Sequence, residues 1–580
     1  MEKFTKLIIH YSLLMIVFLF PLFFLPTTSE FFLTNKLYLL TFGSLFLLFL
    51  SSISYFLSKK VSWHSYPFDS QVFLFLLTIA LSIIIVSPNK IQSLLNPNFG
   101  LISLISLAIL YFYLSRLPSL SLINYSLLIS SLILSLTTII FFFQPFKNVN
   151  LPSSFQFLKN PFFTPVGNQI DLAIFLGFMV IYGLTRITTD RMENKIIHYS
   201  LLIINSLALS LTLYQFFKPL STDGNRLPLT LPPFRLSWYA AVETLKQPLT
   251  ALFGVGVDNF SSVFTRVKDL AYNQSNLWQI NSFPFSRSAI LHLFTETGIF
   301  GLLAFSLLVG QLIKVGKKNN LFQNLIIYYS LLILLFFPPS LISWFLFFIV
   351  LTFSTSVLLT NRQSEEQASL NLAPFPPIYV GLAVIFLLII ASLAYLFIRS
   401  YLAEYYFKKG LDGVIKNNAK DVYDNTRQAT ILNPYIERFR INFSQINLLI
   451  ANNIAQKASQ NNNQKKPLSE TDRQNISQAI QAAISEAKAA VTLNPQKAEY
   501  WQNLANIYQQ IISVAQGADL WTISAYQRAI VLDPQNPIYR LSLGGVYYSL
   551  GNFEDATKVF EQAVVLKPDW ANGHYNLAWA

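Results

Sequence analysis

The sequence predicts an all-α protein: a polytopic bundle of about eleven membrane-spanning helices followed by a helical solenoid. Three observations carry that expectation. The composition is 53% hydrophobic and 12% charged over 580 residues, with 52 phenylalanines, too apolar for an ordinary soluble chain of this length. The apolar residues gather in windows near the roughly 20 residues that cross a bilayer core. Past residue 400 the composition turns globular and a helical repeat begins. The expected division is a membrane domain over 1–400, a large loop within it at 217–288, and a repeat domain over 401–580.

In chain order the expected spans are Lys6–Pro26, Leu37–Leu57, Ser70–Ser87, Leu101–Arg116, Leu120–Phe143, Gln169–Arg186, Ile197–Phe217, Ala289–Val315, Leu321–Phe337, Leu341–Thr360 and Ile378–Arg399. The first reads as a retained helix, because its apolar run is long and no small-residue cleavage site follows. With a cytoplasmic N-terminus, the inside turns carry Lys59 and Lys60, then Arg116, then Arg186, Arg191 and Lys195, then Lys314, Lys317 and Lys318, then Arg362. That is the positive-inside pattern, and it implies a multi-pass protein of the inner or plasma membrane. The same alternation puts 144–168, 219–288 and everything after Ser400 on the extracytoplasmic side. A net charge of +13 placed largely in such loops orients helices and argues against nucleic acid. The absence of cysteine excludes disulfides and thiolate metal sites. No His, Asp or Glu cluster has ligand spacing, so neither a metal nor another cofactor is expected.

After Ser400 the period changes. Leu493–Pro495, Leu532–Pro534 and Leu566–Pro568 repeat a Leu-x-Pro corner, the last two 34 residues apart. Trp501, Leu504, Ala505 and Tyr508 fit one first helix. Leu543, Gly544, Tyr547, Ala556, Phe560, Ala563 and Pro568 fit a whole unit. The pattern resembles the tetratricopeptide repeat, in which small residues sit where paired helices touch and proline ends the second helix. An earlier corner at Leu432–Pro434 predicts a degenerate repeat, followed by a polar insertion near Gln460–Asp472. The chain ends partway into a further first helix, where Leu577 and Ala578 fit the pattern, and a solenoid end needs a polar cap or a docking partner.

Chemistry is expected in the loop before Gly301. Phe163–Gly177 (FTPVGNQIDLAIFLG), Arg235–Phe260 (RLSWYAAVETLKQPLTALFGVGVDNF) and Arg287–Gly301 (RSAILHLFTETGIFG) resemble, in order and spacing, the O-antigen ligase and polymerase family of integral-membrane glycosyltransferases. The resemblance implies transfer of a glycan from a polyprenyl diphosphate to a hydroxyl of a glycan, lipid or protein acceptor. It departs from the family at one place: Ser288, Gly298 and Gly301 fall in register, but Arg287 stands where the family carries histidine.

Such a reaction needs fixed cations for the departing diphosphate and a base or polarising group for the acceptor. Arg235, three residues before Trp238, is the first candidate for the diphosphate, joined by Arg287, Arg266 and Ser288. Arginine binds phosphate oxygens bidentately and stays charged. The competing reading of Arg235 is a side chain that reaches to lipid headgroups or caps a local helix. Candidate bases are Glu296, an ionisable group in an apolar helix, with Asp258, His292 and Glu243. His292 has a bland alternative as a packing histidine and Glu296 as a helix-packing hydrogen bond, while Asp258 and Glu243 are candidates by position alone. Gly254 and Gly256 lack the Lys-Ser/Thr of a phosphate loop and read as a tight turn. Gly298 and Gly301 read as small residues that let helices approach, and Asn168 and Gln169 as helix caps.

Two other classes stay open. A non-catalytic scaffold would display the repeats to a protein partner, with Arg287 a relic of lost chemistry. A transporter is disfavoured by few intramembrane charges and no duplicated hydropathy.

Overall fold

The computed structural model describes residues 2–58, 60–117, 120–189, 192–217, 230–316, 321–360, 367–371, 376–460 and 469–580. Lys59, Arg191, Arg226, Lys317, Lys318, Arg362 and most of the polar insertion, 461–468, lie outside them. The chain forms two compact units. The first comprises Met1–Ile83, Leu94–Leu231 and Arg287–Tyr401; the second comprises Ile84–Ser93, Pro232–Ser286 and Leu402–Ala580. Residues 232–286 of the expected large loop thus belong with the repeats.

The first unit is a helix bundle. Six helices among the described residues are long and apolar enough to cross a membrane: Leu33–Ser58, Ile123–Phe142, Gln169–Thr188, Lys195–Phe217, Ala289–Gly316 and Tyr379–Ile415. Five further apolar helices, Phe4–Leu19, Asp69–Ile85, Leu101–Leu114, Asn324–Phe336 and Leu341–Thr355, have 10–17 residues. Aromatic side chains fill the centre: Trp344, 1% exposed, lies within 6.0 Å of the rings of Phe75, Phe99, Phe305 and Phe347. Serine and asparagine bond across helices, as Ser135 does to Asn205 at 2.7 Å, which satisfies polar groups that an apolar medium leaves dry.

Two features of this unit were not anticipated. Lys36, in the first turn of Leu33–Ser58, is fully buried and donates to the carbonyls of Phe23 (2.8 Å) and Pro165 (2.6 Å). It staples the chain after the first helix to the turn before Gln169. A short antiparallel ribbon pairs Lys60–His64 with Gln367–Asn371, inside regions expected to be plain loops.

The second unit is a stack of helix pairs. Glu437–Gln460 packs on Glu470–Leu493, Ala498–Gln510 on Ala518–Leu532, and Pro537–Ser549 on Phe553–Leu566, with Ala571–Trp579 next. Each second helix stops at the leucine of a Leu-x-Pro corner, two residues before the proline, since proline cannot continue the hydrogen-bond ladder. Small residues mark close contacts: a Cβ on Gly544 would sit 2.6 Å from the Phe560 ring, and Ala556 and Ala563 are fully buried. The segment Pro232–Ser286 folds into short helices around its own core of Leu236, Ala240, Phe260, Val263, Phe264, Tyr272 and Phe283.

Candidate functional site

Four sequence-predicted residues lie in the first unit, at the start of the helix Ala289–Gly316. Arg287 and Ser288 precede it; burial pulls the Arg287 guanidinium below its usual pKa, and guanidinium still stays charged. Ser288, 1% exposed, donates to the Leu334 carbonyl at 3.3 Å and accepts from the Leu291 amide at 3.4 Å, so it caps the helix. His292 and Glu296 stand one turn apart on one helix face, with His292 Nε2 3.2 Å from Glu296 Oε2. Both are buried, at 3% and 0% exposure. The Phe99 ring closes on the imidazole edge-on at 5.2 Å, and Ser82 Oγ donates to the Glu296 carbonyl at 2.7 Å.

Directly after this pair the helix breaks. Gly298 has φ 67° and ψ −161°, left-handed backbone that glycine alone adopts cheaply. Its conformation is a constraint on this glycine beyond the close helix approach expected of it. The break leaves His292 and Glu296 on a short first segment whose direction is set independently of the long helix that follows.

Arg235, Arg266, Asp258 and Glu243 lie in the second unit. Arg235, on the helix Phe234–Glu243, pairs with Asp269 at 2.7 Å while half its side chain stays exposed, and its guanidinium lies 6.0 Å from the Tyr239 ring. Arg266 is exposed near the end of Phe260–Val267, and its Nε donates to the Ser262 carbonyl at 3.1 Å. Glu243 pairs with Lys246 at 2.8 Å.

Asp258 occupies a left-handed backbone position, φ 68°, between the glycine turn and Asn259. Its Oδ2 accepts from Gln92 (3.1 Å) and Lys497 (3.3 Å). Lys497 also pairs with the fully buried Glu437 at 2.8 Å, and Glu437 accepts from Asn89 and from the Tyr500 hydroxyl. Burial works against the Lys497 charge, yet Asp258 and Glu437 hold its pKa well above the ordinary lysine value. As a candidate base Asp258 is therefore occupied as an acceptor for two donors.

The segment meets the repeats in ascending register. Asn494 of the second corner donates to Asn259 at 2.8 Å. Asp533 of the third pairs with Lys268 at 2.7 Å. At the fourth, Leu566 accepts from Asn273 at 3.1 Å and Lys567 lies 5.2 Å from the Trp278 ring. Ser261, Ser262, Thr265, Asn281 and Ser282 of the segment, with Lys497, Glu499 and Tyr539 of the solenoid, line a small polar cleft. Sequence reasoning missed Glu437, Lys497, Lys268 and Asp533. The available signal was the charged middle residue of two corners, Asp533 and Lys567, where the others carry asparagine. Among the described residues no group of three or more His, Cys, Asp or Glu is placed to hold a metal ion.

Residues 544–580 match the TPR repeat family model. The C-terminal part carries a tetratricopeptide repeat. Solved structures similar to part of the chain include MamA (18% identity, 29% of this chain and 81% of that one, TM-score 0.22). Others are TTC0263, a thermophilic TPR protein of Thermus thermophilus (16%, 30% and 80%, 0.24), and YrrB, described as a TPR protein with an unusual peptide-binding site (15%, 35% and 88%, 0.23). No curated protein matches the chain. Repeats of this kind are protein-interaction modules.

Proposed function

We propose that this protein is a metal-independent glycosyltransferase of the O-antigen ligase or polymerase type. In this reading it lies in the inner or plasma membrane with a cytoplasmic N-terminus and the repeats outside, surrounded by membrane lipid. It moves a polyprenyl-diphosphate-linked glycan to an acceptor hydroxyl in cell-surface polysaccharide assembly. The observation that supports it best is the buried His292–Glu296 pair on the short helical segment headed by Arg287.

The roles follow from chemistry. Arg287 replaces the family's histidine and cannot act as a base; it is suited to the charge that grows on the departing diphosphate. His292 takes the proton of the acceptor hydroxyl, and Glu296 orients the imidazole and stabilises its charged form. As the glycosidic carbon–oxygen bond to the diphosphate breaks, the acceptor oxygen forms the new bond and the diphosphate leaves with the electron pair. Arg235 and Arg266 are the arginine cations of the segment Pro232–Ser286.

The test is accumulation of donor. Cells lacking the protein should build up lipid-linked glycan, with a shortened attached ladder for a polymerase and unattached long chains for a ligase. Unchanged lipid-linked pools would refute the reading.

A second reading, a scaffold without chemistry, is favoured by one observation: Arg235 is already neutralised by Asp269. The repeats would then serve a protein partner only, and replacing Arg287 would leave partner recruitment intact.

A further inference from the structure

The segment that carries Arg235 and Arg266 is tied to the solenoid at one buried charge pair close to both. Lys268 and Asp533 side chains are 3% and 0% exposed. The Lys268 ammonium also donates to the Asn281 carbonyl at 2.9 Å, and Asp533 Oδ2 also accepts from Asn536 at 3.1 Å. Arg266 lies two residues before Lys268. Asp269, the next residue, splits its carboxylate: one oxygen accepts from the Tyr272 amide at 3.0 Å and caps the turn Leu270–Asn273, while the other holds Arg235 at 2.7 Å. Asn273 closes that turn by donating to the Gln535 carbonyl at 2.7 Å.

We propose that Asp533 and Lys268 are positioning residues for glycan transfer: the third repeat corner fixes Lys268, and through the adjoining Asp269 it sets where the Arg235 guanidinium points. The proposal rests on the transfer reading above. Its physical basis is that a buried ion pair is a poor source of stability but a strong selector of one arrangement. Burial lowers the Lys268 pKa and raises that of Asp533, so both groups lose hydration and the geometry must repay it. The ascending register of corners and segment, 494 with 259, 533 with 268, 567 with 278, makes this edge specific for the chain's own segment Pro232–Ser286. Other proteins must then use a different face of the repeats.

The experiment is a double-mutant cycle in the full-length protein. Asp533→Asn should lower kcat/KM for a polyprenyl-diphosphate glycan donor at least tenfold. In an Arg235→Ala background it should cause no further loss, and exchanging the charges, Lys268→Asp with Asp533→Lys, should restore much of the activity. Additive losses from Asp533→Asn and Arg235→Ala would overturn the proposal, because a purely structural defect is indifferent to Arg235. A second arm is independent of transfer: Asp533→Asn should speed amide hydrogen exchange over 267–273 severalfold. If the wild type transfers nothing but that exchange rises, the enzyme reading fails and the tether stands; unchanged exchange sinks the tether whatever the enzyme does.

Discussion

Replacing Lys497 with methionine tests how the second unit is held together. The ammonium sits 2.8 Å from Glu437 and 3.3 Å from Asp258, with the lysine 8% and Glu437 0% exposed. Methionine keeps most of the apolar stem but strands the Glu437 carboxylate against Tyr500 and Asn89. Breaking a buried pair by removing one partner costs about 3–5 kcal/mol, a large share of the roughly 5–15 kcal/mol that holds a typical domain. Hydrogen exchange in Ala498–Gln510 and Ala518–Leu532 in the full-length protein would read the loss directly. The direction of the pKa shift gives the pH course. The Lys497 pKa is raised in the folded state, so its contribution is complete below the ordinary lysine value of 10.5 and disappears only as pH climbs through the higher folded value. Protection should therefore not change with this group from about pH 6 to pH 10. A Lys497→Met change below about 0.5 kcal/mol, the scale of ordinary surface substitutions, would refute this account of the network.

Three further outcomes are expected. Replacing both members of the third-corner pair, Lys268→Met with Asp533→Leu, should leave stability equal or higher by up to about 4 kcal/mol, whereas Asp533→Leu alone should lower it; thermal unfolding of the three proteins decides. Gly256→Ala should cost at least about 1–3 kcal/mol, because φ is 87° and the new Cβ would lie 2.5 Å from Ser87 Oγ and 2.7 Å from Ser87 Cα; hydrogen exchange over 84–93 and 254–262 measures it. Gly177→Ala should push aside Tyr329, whose hydroxyl would lie 2.4 Å from the added carbon. The tyrosine would lose its 2.9 Å bond to the Ile174 carbonyl, and lower thermal stability of the purified protein is the readout.

The helical architecture and the repeats could be read from the chain because both rest on local periodicity. Apolar windows and Leu-x-Pro corners, two of them 34 residues apart, are written in consecutive residues. The joining of Pro232–Ser286 to the repeats could not be read. It depends on Asn259, Lys268 and Trp278 meeting corners hundreds of residues away, and no period links them. The His292–Glu296 pair was half legible: the one-turn spacing puts both side chains on one face, but only the fold shows that this face is buried, with Phe99 against the imidazole. The positive φ of Gly298 could not be read, because a glycine in an apolar run looks alike whether it permits close packing or a left-handed backbone. Lys36 escaped notice because a lysine at the edge of an apolar window normally reaches toward the interface, whereas this one turns back onto two carbonyls.

In the proposed transfer the buried imidazole ahead of the helix break takes the acceptor's proton, and the Glu296 carboxylate orients it. The most direct measurement is turnover of a purified polyprenyl-diphosphate glycan donor by full-length protein carrying Glu296→Gln or His292→Gln, each with its thermal unfolding recorded. Folded variants slowed by about a hundredfold to ten-thousandfold, the usual contribution of a positioned acid or base, are the expected result. Folded variants that turn over donor at the wild-type rate would contradict the account.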